Sequence, residues 1–97
     1  MTQRTGLPID AGLAAREAVD IASDKQASDI VLIDVRGVCG FTDYMVILSA
    51  ASTRQLTALV EDLTKAVTTV GLERHHEEGT AESGWVLIDF GDVVINL

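Results

Sequence analysis

Cysteine, proline, aromatic residues and basic residues are all scarce in this sequence, and each scarcity excludes something. A single cysteine, Cys39, leaves no intrachain disulfide and fits a reducing compartment. Lys and Arg number 7 against 15 Asp and Glu, a formal net charge of -8. Nucleic-acid binders draw most of their affinity from neutralised phosphates, so a chain without a Lys/Arg cluster is not expected to contact DNA or RNA directly. No apolar run approaches the roughly 20 residues a membrane helix needs. The opening MTQRTGLPID has neither the apolar stretch of a signal peptide nor the arginines of a transit peptide, so a cytoplasmic location is expected. No Gly-rich phosphate loop, internal repeat or low-complexity segment is present.

What remains is 97 residues, 47% of them hydrophobic and mostly Val, Leu, Ile and Ala. That is one domain, able to bury roughly two-thirds of its unfolded surface around one core. Residues 1–8 read as a flexible arm ending at Pro8, and 9–97 as the single domain. Ala11, Ala14, Ala15, Ala18, Val19 and Ala22 fall on one stripe at helical spacing, predicting a helix from Ile9 or Asp10 to about Lys25–Ala27. Asp29–Val35 is apolar on both faces, as an interior strand would be. Arg36–Thr42 holds two glycines and reads as a loop, and Asp43–Ser49 is a second buried strand.

The second helix has the clearest signature. Ser52 and Gln55 have capping-box spacing, and Leu56, Leu59, Val60, Leu63, Val67 and Val70 recur at one face until Gly71 stops the pattern. Leu72–Glu78 reads as a polar outer strand and Gly79–Ser83 as a loop. Trp85–Phe90 and Val93–Leu97 are strands joined by a two-residue turn, Gly91-Asp92. The element order α-β-β-α-β-β-β predicts an α/β fold of the α+β kind: a mixed five-stranded sheet with the helices packed on it.

Several residue groups resemble chemistry and are better explained otherwise. Asp89-Phe90-Gly91 matches the kinase metal-binding tripeptide, but no other kinase motif accompanies it, and a hairpin turn explains it. His75, His76, Glu77 and Glu78 alternate on a strand, giving each face at most two ligands where a catalytic zinc takes three. Cys39 has no histidine near it in sequence to activate it. Asp29, Asp34, Asp43, Asp89 and Asp92 lie at or near strand ends. Paired carboxylates there could hold Mg²⁺ for nucleotidyl transfer, yet no phosphate cradle or basic clamp is visible. No cofactor and no metal is expected. Tyr44 and Trp85, each at a strand start, combine apolar area with a polar tip and suit either a core or a protein interface.

Asp29-Ile30-Val31-Leu32-Ile33-Asp34-Val35-Arg36-Gly37, Thr42-Asp43-Tyr44-Met45-Val46-Ile47, Ser52-Thr53-Arg54-Gln55 and Gly84 to Val94, in that order, resemble the Iojap or ribosomal silencing factor (RsfS) pattern from about residue 10 to 97. The resemblance implies a nucleotidyltransferase-like fold without catalytic activity. It also implies binding to ribosomal protein L-fourteen on the large ribosomal subunit, a steric block to subunit joining, lower translation when nutrients are scarce, and homodimers. Three departures stand out. Ala50 replaces a usual Gly, Asn96 replaces a common His, and the sequence stops at Leu97 where the family usually adds a C-terminal helix. Without that helix, apolar sheet surface would be exposed. A partner-binding surface is expected at Asp43, Tyr44, Trp85, Asp89 and Asp92, an acidic and aromatic set suited to a basic ribosomal protein. The alternatives are a metal-dependent nucleotidyltransferase-like enzyme and a homo-oligomeric interaction module with another partner.

Overall fold

The computed structural model describes residues 10–97; the arm expected at 1–8 lies outside them. The elements are α1 (Ala11–Asp24), β1 (Ser28–Asp34), β2 (Tyr44–Ser49), α2 (Thr53–Thr69), β3 (His76–Thr80), β4 (Trp85–Asp89) and β5 (Val93–Asn96), in the expected order. One sheet runs β1-β2-β5-β4-β3. Among the described residues only β2 and β5 pair in parallel; the other neighbours are antiparallel, so the sheet is mixed.

Both helices lie on one face. In α1, Ala14, Ala15, Ala18 and Ala22 are fully buried, and their short side chains let the helix axis approach the sheet closely. Asp10 caps it by accepting a hydrogen bond from the Leu13 amide, 3.2 Å away. In α2, Leu56, Leu59, Leu63 and Val67 of the stripe read from the sequence are buried, and Val60 and Val70 are partly buried beside them. The Ser52 hydroxyl accepts from the Gln55 amide at 3.1 Å. Gln55 also ties the two helices together. Its side-chain Oε1 accepts from the Ala51 amide, while its side-chain nitrogen donates to the Lys25 and Gln26 carbonyls, each at 3.2 Å. Beneath the helices, Val46, Val93, Ile95 and Ile88 are fully buried, with Val86 and Leu48 nearly so.

Two expectations need correction. Asp29–Val35 is not an interior strand: β1 forms one edge of the sheet. Its two apolar faces arise because Ile30 packs on the core beside α1 while Val31 and Ile33 reach the uncovered side. The outer strand is His76–Thr80 and not Leu72–Glu78. Leu72 is buried just after the end of α2, where its amide donates to the Val67 carbonyl. β4 and β5 are joined by the Gly91-Asp92 turn, in which the Phe90 amide donates to the Val93 carbonyl at 2.9 Å. Gly91 adopts φ +84°, and a Cβ there would sit 2.9 Å from the His75 ring.

Candidate functional site

Among the described residues no helix lies over the sheet face opposite α1 and α2. Because laterally paired residues point to the same side, the strand registers define two rows across that face. One runs Val31, Ile47, Asn96, Leu87, Glu78; the other runs Ile33, Met45, Val94, Asp89, His76. With strands about 4.8 Å apart, each row is roughly 19 Å wide. The β1, β2 and β5 side is apolar apart from Asn96, whereas β3 contributes Glu78 and His76. Those two are hydrogen-bonded to each other at 2.8 Å.

Trp85 stands on the same face at the start of β4, opposite Thr80. It is 41% exposed, so it does not fill the core. Its indole Nε1 donates to the Asn96 Oδ1 at 2.6 Å, across the β4–β5 pair. That bond fixes the ring on the open face and satisfies the indole N–H. Gly79 makes room for it: a Cβ there would run into the Trp85 carbonyl oxygen and lie 2.8 Å from ring atom Cε3. Asn96, one of the departures from the family pattern, is thus the partner of the one tryptophan.

The other four expected site residues gather at the opposite end of the sheet. The Asp43 and Tyr44 amides both donate to the Asp92 carbonyl, each at 3.0 Å. Asp89 Oδ1 accepts from the Gly91 amide at 2.7 Å, holding the β4–β5 turn. Four residue steps along β4 separate Asp89 from Trp85, about 13 Å. Tyr44 belongs to the helix side: its Oη lies 3.2 Å from where a Gly12 Cβ would sit. The Arg36 guanidinium carbon is 5.3 Å from the Tyr44 ring centre. Arg36 also grips Asp34, with Nη2 to Oδ2 at 2.7 Å and Nε to Oδ1 at 3.0 Å. These bonds, with the Arg36 amide on the same carboxylate, hold the Asp34 carboxyl below the usual carboxylate range.

The five residues therefore do not make one patch. Trp85 and Asp89 share the open face at its two ends, and Tyr44 faces the helices. What the sequence reading missed is the apolar floor between them, formed by Val31, Ile33, Met45, Ile47 and Leu87. A signal existed, since two helices cannot cover both faces of a five-stranded sheet, but the rows need the register to be seen. Of the strand-end aspartates, Asp34 and Asp89 already have carboxylate oxygens committed to neighbours. Among the described residues no three His, Cys, Asp or Glu side chains are placed to hold a metal ion. No helix among them is long and apolar enough to cross a membrane. The arrangement can bind an apolar, basic-rimmed surface.

The family model for "Ribosomal silencing factor during starvation" matches residues 8–97. The chain belongs to the ribosomal silencing factor family. It is 34% identical over 80 residues to ribosomal silencing factor RsfS of Halalkalibacterium halodurans, spanning 82% of this chain and 68% of that protein. It is 32% identical over 80 residues to the RsfS of Bacillus subtilis, with the same coverage of both. A crystal structure of a Chromobacterium violaceum protein superposes with a TM-score of 0.80 at 28% identity, covering 90% of this chain and 72% of that one. Ribosomal silencing factor membership implies association with the ribosome, and it accounts for the α/β fold with its five-stranded mixed sheet.

Proposed function

We propose that the protein represses translation by docking on ribosomal protein L-fourteen of the large ribosomal subunit, where its bulk blocks subunit joining when nutrients are scarce. On this reading it is a cytoplasmic, non-enzymatic binder without a cofactor, and away from the ribosome it pairs with a second copy of itself. The observation that carries the reading is the family match over residues 8–97 together with the open, apolar face that holds Trp85. A face with apolar residues toward one edge and carboxylates toward its ends suits a basic ribosomal protein. The apolar floor supplies desolvated area, and the acidic balance of -8 supplies orientation and encounter rate.

Within that face Trp85 is the anchor. Its ring is half-exposed and held by Asn96, so little side-chain freedom is lost on docking. Asp43, Asp89 and Asp92 form the acidic rim at the far end. Tyr44 contributes by holding Arg36 and the start of α1 beside that rim. The test is co-sedimentation with purified large subunits at low and raised salt. The intact chain is expected to sediment with them and to weaken as salt rises. Replacing Trp85 with Ala, in a chain that still folds, is expected to weaken binding by about 2 kcal/mol or more, roughly 30-fold. Unchanged binding by that variant would remove the anchor, and no sedimentation of the intact chain at low salt would remove the function.

A further inference from the structure

The open face carries much apolar surface and very little hydrogen-bonding capacity. Across β1, β2 and β5 its rows are Val31, Ile47 and Asn96, and Ile33, Met45 and Val94. Asn96 is the one polar side chain among these six. Ile47 of β2 lies beside it on one side and Leu87 of β4 on the other. Val94 stands two residues back along the same strand. A polar group set in an apolar contact area acts mainly on specificity. Whatever covers it must supply a matching group or leave it unpaired, at a cost.

The orientation of the Asn96 amide is fixed by chemistry. An indole N–H donates and never accepts. The Asn96 atom that meets Trp85 Nε1 at 2.6 Å is therefore the oxygen Oδ1. Nδ2 occupies the branch of the amide turned away from the indole, since exchanging the two ends would set donor against donor. Nδ2 carries two N–H groups, and it donates to no side chain or carbonyl among the described residues. Asn96 is half-buried, and solvent reaches this nitrogen. A partner that covers the floor takes that solvent away and has to replace it.

We propose that Asn96 Nδ2 is the specificity-determining donor of the docking face, and that it binds a peptide carbonyl oxygen of the ribosomal protein docked there. This deepens the docking reading above and rests on it. The acceptor is a neutral oxygen and not a carboxylate. The chain carries a net charge of -8, and Glu78 in the same row and Asp89 in the next already present carboxylates to this face. Both repel an anionic acceptor. A peptide segment laid on the floor brings a carbonyl at every residue, whatever its side chains are. Trp85 and Asn96 then act as one unit. The ring supplies contact area, and its N–H turns the amide so that a donor faces the partner. A segment whose apolar side chains fit the floor but whose carbonyl is out of register leaves Nδ2 unpaired and is rejected on that ground.

Two substitutions test this by co-sedimentation with purified large subunits, and each works against a simpler expectation. Asn96→Leu extends the apolar floor and buries no charge, so contact area alone gives equal or tighter binding. Asn96→Asp keeps an oxygen for the indole N–H and adds a negative charge facing a basic partner, so long-range attraction alone also gives equal or tighter binding. Both remove the donor. The expected result is a Kd raised about tenfold or more in each, with circular dichroism unchanged. The Trp85 emission maximum of the Asn96→Asp chain is expected to match that of the parent. Parental or tighter affinity in either folded variant overturns the proposal, and if one variant fails to fold the other decides. An intact chain that does not sediment with large subunits removes the docking reading and this inference with it. An intact chain that sediments, beside a variant that binds as well, removes only the role of Asn96.

Discussion

The two faces of the sheet are built from the same strands and treated oppositely. On the helix side, Val46, Ile88, Val93 and Ile95 are fully buried under α1 and α2. On the other side Val94, in the middle of the sheet, is also buried, but Val31, Ile47 and Trp85 are between 40 and 47% exposed. Burial stabilises by about 25 cal/mol per Å² of apolar surface removed from water. The helix face has already gained that energy through folding; the exposed part of the open face has not. The difference separates residues that make the fold from residues free to bind. Every prediction below either deepens that contrast or removes it.

The largest effect is expected inside the covered face. Leu59→Ala removes a fully buried side chain of α2 and should cost about 2–5 kcal/mol in chemical denaturation. Ile47→Ala, on the open face, should cost under about 1 kcal/mol, since it loses only cross-strand contacts with Val31 and Asn96. Binding to large subunits should show the reverse order. If Ile47→Ala destabilised the fold as much as Leu59→Ala, the open face would be part of the core and the contrast would collapse.

Next comes Gly79→Ala. The backbone there has φ +83°, and a Cβ meets both the carbonyl oxygen and the ring of Trp85. The expected cost is about 1–3 kcal/mol, with the ring displaced from Asn96. Trp85 fluorescence reads the displacement directly. An unchanged emission maximum with lost stability would mean that Gly79 serves only the turn and not the open face. Ser52→Ala is smaller, about 1 kcal/mol, because it removes one cap that anchors α2 over the sheet. Its effect should appear in stability alone, and reduced partner binding by a fully folded Ser52→Ala chain would contradict the division between faces.

The covered face was far easier to foresee than the open one, for physical reasons. The α2 stripe and the Ser52–Gln55 cap are local: a helix's partners lie three and four residues away, so spacing alone reveals them. Strands form their rows with residues far along the chain, and nothing local tells which face will lack a cover. β1 shows the cost. Its apolar run on both sides suggested an interior strand, yet the same pattern serves an edge strand with one face beside α1 and the other on the open floor. β3 was misplaced by several residues because its polar alternation is weak and Leu72 belongs to the end of α2. The chemistry of Trp85 made it a candidate for either the core or an interface, and the structure leaves it 41% exposed. Its partner Asn96 was legible only as a departure from the family pattern, since their contact needs the β4–β5 register.

The smallest effect is expected at Asp34, where β1 ends beside the helix-facing Tyr44. The Arg36 hydrogen bonds lower the folded-state pKa of its carboxyl below the ordinary 3.8. A lowered carboxylate pKa contributes stability that is present above the unfolded value and is lost as pH falls through the folded one. Both side chains are well exposed to water, so the contribution is small and screened by salt. Asp34→Asn should therefore lower the urea midpoint slightly at pH 7, and the gap from the parent chain should close as pH drops below about 3.8. A gap that persists undiminished in strong acid would mean that the substitution costs stability through packing and not through the charge of the carboxylate. In that case the end of β1 would be held as the covered face is held, by geometry independent of charge.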